Sequence, residues 1–550
     1  MIAKTLNAEQ TEKAAAIIGM KIEDPVSFLD KWKNKNCAHG SCRNLFSPEI
    51  ADLLQTAPVE KNDPGFTSKD ILEALNQNED GDAELFIKRF HDQYLYDHSS
   101  SRWYHFEQHH WGEDLIDNVM ASVQDVAKLY EDEYKRQADL AIDATRKMEK
   151  DQAQQCNARM KEILSRIKLL RAMPRKKDVV SLAKTGTGTL GISGEEWNTN
   201  PMRIGCKNGV IDLRTGILRP GKPSDYIKVI APIEYDPEAR CPVWEEYLNS
   251  TFGGDRELIT YIQKRCGYAI TGQTTEHDFI FLEGPGRNGK TTFIEATQYP
   301  LGELAGQIEV EALLTQIKPR QAGSPSPELM ALREKRFICA VESDQGRSLN
   351  AGKVKWLTGG DTLVGREMYG KRQISFTPTF KLWFVTNHLP HIDSEDFAIW
   401  SRIRRIEFKF AFVTEPKEEN EKKADPFILE KLKKEASGIF TWMIAGCLMW
   451  QAQGLIPPDI VKTSTENYRC DEDIINRFLH DVCTFGKNER TKAGELYQAY
   501  QRWCQKNGHR AMSGTRFGKN MKKNYDHCEE NHLTFYIGID LLKPALGEEL

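Results

Sequence analysis

The sequence predicts an α/β protein with a P-loop core, preceded by a helical and mixed α+β region and followed by a winged-helix-like module. Three observations predict it. An apolar run, a glycine-rich loop and a helix start follow one another at 279–293. Two further β-type runs, at 336–344 and 380–386, end in acids or lead into an amide. The basic C-terminal end reads helix, helix, strand. The expected segments are a helical arm (1–75), an α+β region (76–245), the P-loop core (246–465) and the C-terminal module (466–550).

The chain has 550 residues, 40% of them hydrophobic and 28% charged, enough apolar surface for several domain cores. Lys and Arg total 75 against 80 Asp and Glu, for a net charge of −5, which excludes a uniformly basic protein that coats nucleic acid. No run approaches the roughly 18 to 20 apolar residues of a membrane span; Ile439–Trp450 is short and interrupted. The N-terminus lacks a signal-type apolar core. Twelve cysteines, scattered singly, predict reduced thiols without disulfides. A cytoplasmic protein, in a bacterial host, is expected.

In the arm, helical patterns break at Asp24-Pro25, Ser47-Pro48 and Asp63-Pro64-Gly65. Cys37, His39 and Cys42 have zinc-ligand chemistry but show no fourth ligand, so a zinc site is not expected. Aromatics cluster at 94–111, with Phe106 and Trp111 flanking a polar run like a hairpin, and predict a compact core. One long helical stretch is expected from Leu115 to Met173, with packing stripes at Val126, Leu129, Tyr130 and at Ile163, Ile167, Leu170. Pro174 and the run Arg175-Lys176-Lys177 interrupt it and read as a solvated loop. Short β-type runs alternate with turn residues through 206–235, a small meander.

The segment Phe279–Phe293 fits GxxxxGK[ST] in its required context of strand before and helix after. Gly284, Gly286 and Gly289 let the backbone bend so that the amides of the loop Gly284-Pro285-Gly286-Arg287-Asn288-Gly289 face phosphate oxygens, helped by the helix N-terminus that begins Lys290-Thr291-Thr292. Lys290 would reach the β and γ phosphates of ATP, and Thr291 would hold Mg²⁺. Glu342 and Asp344, two apart at a strand end, share one face; one would order the metal and the other the attacking water. Asn387, directly after the third run, suits a γ-phosphate sensor. Of Arg402, Arg404 and Arg405, Arg402 is favoured as a finger acting across a subunit boundary.

The ordered series GPGRNGKTT, VESDQG, KWLTGGD, REMYGKR, FKLWFVTNHLP and IWSRIRRIEF closely resembles superfamily 3 helicases of the phage and plasmid primase/helicase type. The resemblance extends to NGVIDLRTG, YDPEARCPVW and GYAITG and covers roughly 450 residues. It implies an AAA+ type core, a hexameric ring with ATP at subunit interfaces, single-stranded DNA in the channel and movement 3′ to 5′. Lys371 and Arg372 fall at the tip of the family's channel hairpin and would hold DNA phosphates. One departure is that Ser343 separates the two acids, which leaves their division of labour open.

Residues 487–543 hold eleven Lys and Arg against six acids, so positive charge concentrates at the C-terminal end. Leu496, Tyr497, Tyr500, Trp503 and Cys504 form one helical face. Ser513 caps a second helix with Phe517 and Met521 inside and Arg516, Lys519, Lys522 and Lys523 outside. Phe535, Ile537, Ile539 and Leu541 alternate as a strand. The basic helix is expected to contact duplex DNA.

Together these readings predict an ATP- and Mg²⁺-dependent DNA helicase for phage, plasmid or mobile-element replication, with a separate primase or other replication proteins as partners and no membrane contact. The 75-residue arm offers no primase carboxylates, so no primer synthesis is expected. The alternative is an initiator that assembles on DNA under ATP control without unwinding. A small-molecule kinase would leave the sensor, finger and basic module without a purpose.

Overall fold

The computed structural model describes residues 65–316, 326–342, 346–366, 373–509 and 511–542. The arm up to residue 64 with Cys37, His39 and Cys42, the acid Asp344, the hairpin tip Lys371-Arg372 and the side chain of Glu342 lie outside the described residues. The chain divides into two compact units, one reaching to Arg89 and including Asp125–Leu170, the other holding Phe90–Gln124 and everything from Arg171 onward.

In the first unit, helix α1 (Ser68–Asn76) opens with a capping box, Thr67 accepting from the Asp70 amide and Asp70 from the Thr67 amide. Helices α2 (Asn78–Phe90), α3 (Asn118–Arg146, of this unit from Asp125 onward) and α4 (Lys150–Leu170) follow. The predicted single helix from Leu115 to Met173 is therefore two, parted at Met148, which has φ of 61°. Buried Asp82 of α2 shows why: it accepts from the Tyr130 hydroxyl of α3 at 2.9 Å and from Arg166 of α4 at 2.8 Å. On one straight helix those residues would stand about 54 Å apart, so both can meet Asp82 only if the helix breaks. The stripes do pack, with Val126, Tyr130, Ile163, Ile167 and Leu170 buried.

The second unit begins with strands β1 (Tyr94–Asp97), β2 (Arg102–Glu107) and β3 (His110–Glu113), joined by β4 (Gly191–Ile192) in the order β3-β2-β1-β4. The expected hairpin forms, pairing Phe106 with Trp111 at a ring separation of 5.3 Å. The basic run after Pro174 is not a loop. It lies in helix α5 (Met173–Ala183), where proline's preset φ and missing N–H suit the first turn, and Arg175 is buried. Strands β5 (Arg203–Cys206), β6 (Gly209–Asp212) and β7 (Ile217–Arg219) make an antiparallel meander, but β8 (Ile230–Ala231) leaves the predicted pattern and pairs in parallel with β5, for the order β7-β6-β5-β8.

Helices α6 (Pro242–Thr251) and α7 (Arg256–Ala269) lead to the central sheet. Its elements are β9 (Phe279–Glu283), helix α8 (Lys290–Gln298), β10 (Ala305–Gln307), β11 (Phe337–Glu342), helix α9 (Ala351–Thr358), the antiparallel pair β12 (Leu363–Gly365) and β13 (Ile374–Phe376), β14 (Lys381–Thr386) and β15 (Ile403–Glu407). The sheet order is β10-β11-β14-β9-β15, parallel throughout. Alternate residues enter opposite cores: Ile280, Leu282, Trp383 and Val385 with Trp244 and Phe293 on one face, Phe279, Phe281, Leu382 and Phe384 on the other. Burial on both faces explains why these strands read as continuous apolar runs.

A short parallel pair, β16 (Ala411–Val413) and β17 (Glu421–Lys423), follows. The apolar segment Ile439–Trp450 lies in helix α10 (Ala436–Gln453), and its Ile439, Phe440, Met443 and Ile444 are buried in the core beside the sheet. Among the described residues no helix is long and apolar enough to cross a membrane, and the ten described cysteines are free thiols.

Helix α11 (Asp459–Glu472) leads to α12 (Ile474–Val482), β18 (Cys483–Lys492), α13 (Ala493–Lys506), α14 (Gly514–Asn524), β19 (His527–Glu530) and β20 (Leu533–Leu541), with sheet order β18-β20-β19. Ser513 caps α14 as predicted, accepting from the Arg516 amide, and Leu496, Tyr500, Trp503, Cys504, Phe517 and Met521 are buried. The strict alternation predicted for the last strand fails. Tyr536 and Ile539 face inward while Ile537 is exposed, because Gly538 takes φ of 84° and the pairing with β18 jumps from Phe485 to Arg490. A bulge of this kind switches the inward face.

Candidate functional site

The site lies at the C-terminal ends of the parallel strands, where Glu342, Thr386, Glu283 and Glu407 stand in one register row across β11, β14, β9 and β15. Ligands of open parallel sheets sit at this edge. The loop Gly284–Gly289 springs from β9 and ends as the N-cap of α8. A Cβ on Gly284 would meet the Phe408 carbonyl oxygen at 2.4 Å, and one on Gly289, with φ of 89°, would meet the Tyr247 hydroxyl at 2.9 Å. The bend predicted at Gly286 falls instead on Arg287, with φ of 62°, whose carbonyl accepts from the Phe412 amide at 2.7 Å. Asn288 donates to the Phe408 carbonyl at 3.2 Å. Pro285, Gly286, Arg287 and Thr291 are exposed, and Thr292 is half-buried.

Lys290 is buried and its ammonium occupies the loop. It donates to the carbonyls of Gly284 (2.5 Å) and Pro285 (3.3 Å), to Asn288 Oδ1 (3.0 Å) and to Asn387 Oδ1 (3.1 Å). Burial pushes it down to about 8, with the Glu283 carboxylate opposing. The fold thus joins two predicted site residues 97 positions apart, Lys290 and Asn387. It also brings the end of β11, which carries Glu342, into the same row.

Arg402 is not part of this cluster. It precedes β15, and its carbonyl accepts from the Phe279 amide at 2.8 Å, so it stands beside the first residue of β9 while the loop follows the last. The five strand residues between span about 16 Å, more than an arginine side chain reaches. Its two neighbours are engaged: Arg404 pairs with Asp278 at 3.2 Å, and Arg405 with Glu283 at 3.1 Å and Glu407 at 3.2 Å. Arg402 donates to the Ala398 carbonyl at 2.7 Å.

Sequence reading missed the residues that brace the loop. Tyr247 of α6 is buried and donates its hydroxyl to the Gly289 carbonyl at 2.7 Å. Glu283 is tied through Arg405 to Glu407, which accepts from Ser464 of α11 at 2.8 Å. The only local signal was an aromatic pair, Trp244 and Tyr247, which reads equally as core.

The basic residues of α14 are exposed, as predicted, but three are already paired. Arg516 contacts Asp393, Lys523 lies 3.5 Å from Glu395, and Lys522 lies 3.2 Å from Glu529.

Residues 83–253 match the family described as D5 N terminal like, and residues 471–536 the family described as Poxvirus D5 protein-like. Two regions of the chain, one on each side of the central sheet in sequence, are thus similar to D5-type proteins. Between these D5-type regions, residues 282–405, with the glycine loop, Asn387 and Arg402, match a family of unknown function, DUF5906. The chain is 28% identical to "Putative helicase L207/L206" of Acanthamoeba polyphaga mimivirus, over 88% of this chain and 53% of that protein. It is 24% identical to "Putative helicase 022R" of Frog virus 3, over 57% and 40%, and 24% identical to "Putative primase C962R" of African swine fever virus, isolate Tick/Malawi/Lil 20-1/1983, over 56% and 34%. The chain therefore spans about half the length of the first of these relatives and less of the others. Among solved structures, the apo C-terminal region of NrS-1 is similar at a TM-score of 0.39 and 14% identity, over 66% of this chain and 90% of that one.

Proposed function

We propose that the chain is the motor of an ATP-dependent DNA helicase serving replication of a phage, plasmid or other mobile element. It works as a ring, hexameric, moving 3′ to 5′ on single-stranded DNA. The observation that carries this reading is the meeting of Lys290 with Asn387 at the strand ends while Arg402 stands at the opposite edge of the sheet. Lys290 exchanges its carbonyl partners for the β and γ phosphates, the loop amides hold the remaining oxygens, and Asn387, released from Lys290, orients the attacking water. Arg402 cannot serve its own loop, so it stabilises the developing charge in the site of a neighbouring copy. The Thr291 hydroxyl and the carboxylates of Glu342 and Asp344 are hard oxygen donors of the kind Mg²⁺ takes. When bound there, the ion would neutralise phosphate charge. Lys371 and Arg372 grip the DNA strand, and the basic face of α14 meets duplex.

The test is ATP hydrolysis with and without single-stranded DNA, then strand displacement, on wild type, Lys290→Ala and Lys371→Ala. Lys290→Ala should lose both activities, and Lys371→Ala should keep hydrolysis and lose displacement. Wild type that hydrolyses ATP and assembles on DNA without ever separating strands would make it an initiator instead.

A further inference from the structure

The segment between Asn387 and Arg402 is held from two sides. Helix α11 grips its first half, with the Tyr468 hydroxyl donating to the Pro390 carbonyl, Glu472 accepting from the Ile392 amide at 3.0 Å, and Arg469 donating to the Ser394 carbonyl at 3.4 Å. Helix α14 grips its acids, through Arg516 to Asp393 and Lys523 to Glu395. The two contacts differ in kind. The α11 contacts are built around a buried tyrosine and backbone groups and are structural. The α14 contacts join side chains that are 40 to 66% exposed, and exposed pairs are individually weak and screened by salt.

We propose that Asp393 and Glu395 form an acidic docking surface that stands in for DNA phosphates on α14, and that nucleic acid and this surface compete for Arg516 and Lys523. The partner class is the phosphate backbone of DNA, which presents anions to the same two cations and gains further from counterion release. In the docked state Arg516 and Lys523 are closed to DNA and the segment leading from the sensor Asn387 to Arg402 is held from a second side. When DNA takes the cations, Asp393 and Glu395 are freed and the segment loses its hold from α14 while keeping that from α11. This makes the C-terminal module a DNA-dependent brake on the site, and it rests on the reading of that site as a nucleotide-hydrolysing motor.

The experiment uses the full chain in three forms: wild type, Asp393→Asn with Glu395→Gln, and Arg516→Gln with Lys523→Gln. DNA affinity is read by fluorescence anisotropy of a labelled duplex at fixed low salt, and ATP turnover is read without DNA. The acid-side variant should bind duplex about twofold to tenfold tighter, the range expected from losing two weak competing pairs. It should also hydrolyse ATP faster without DNA. The base-side variant should share the faster DNA-free turnover yet bind duplex more weakly. Opposite signs on binding with the same sign on turnover distinguish a competing surface from a contact that merely holds the fold. Hydrogen exchange adds a readout independent of activity: duplex should raise exchange at 393–396 in wild type and leave it unchanged in the acid-side variant. If wild type neither binds duplex nor turns over ATP, the motor reading itself fails. If wild type does both and the acid-side variant matches it in affinity and turnover, the competing surface is overturned.

Discussion

At the scale of single residues, the site depends on groups that lie far from it in sequence. The Tyr247 hydroxyl holds the carbonyl of Gly289, the residue that turns the loop into α8 and so sets where Lys290 and Thr291 begin. Tyr247→Phe keeps the ring packed against Trp244 and removes only the hydrogen bond. One such bond is worth about 1 kcal/mol in all, so nucleotide Kd should rise by no more than about fivefold with melting temperature little changed, measured by titration of a fluorescent nucleotide. The three arginines separate by their partners. Arg404 pairs with Asp278, which also holds the buried Arg265, so removing Arg404 costs one partly exposed ion pair, about 1 kcal/mol, and leaves Asp278 still compensated. Arg404→Ala should therefore lower the melting temperature, whereas Arg402→Ala should melt like wild type and lose turnover.

At the scale of elements, the glycine loop is an extension of the sheet as much as a ligand cradle. Its first residue lies against the Phe408 carbonyl just past β15, so the loop and the outer strand are fitted to each other. Gly284→Ala puts a methyl 2.4 Å from that oxygen, a contact that must push β9 and β15 apart at the end that carries the site. Nucleotide binding should be lost at protein concentrations where the wild type saturates, together with a lower melting temperature, checked by the same titration and by calorimetry. The elements also show which patterns can be read locally. The apolar strand runs of the central sheet, the Phe106–Trp111 hairpin and the Ser513 cap each depend on neighbours a few residues away, and they form as read. The break at Met148 and the bulge at Gly538 do not. The first is forced by one aspartate shared between two helices, the second by pairing with a strand some fifty residues earlier.

At the scale of the whole molecule, Arg402 and the glycine loop stand at opposite ends of the same strands, so the proposed role of Arg402 as a finger requires a neighbouring copy's site. The consequence can be measured by mixing. Lys290→Ala and Arg402→Ala subunits, each inactive alone, should regain about a quarter of wild-type turnover when combined equally, since that fraction of interfaces pairs an intact loop with an intact arginine. Mixtures with no more turnover than either variant alone would exclude a site shared between copies.

Local spacing carried the strand, glycine loop and helix of 279–298, the place of Asn387 directly after a central strand, the position of the basic helix and the α/β class. Each of these is written in spacing along a few residues and in side-chain chemistry that survives any packing. Only the tertiary structure decided that Lys290 rests on Asn387, that Tyr247 and Glu283 brace the loop, that Arg404 and Arg405 are engaged by acids, and that Arg516 and Lys523 are met by Asp393 and Glu395. Those facts depend on which distant groups the parallel sheet and the C-terminal helices bring within hydrogen-bond reach. Such distances are set by burying both faces of the sheet, and no local pattern encodes them.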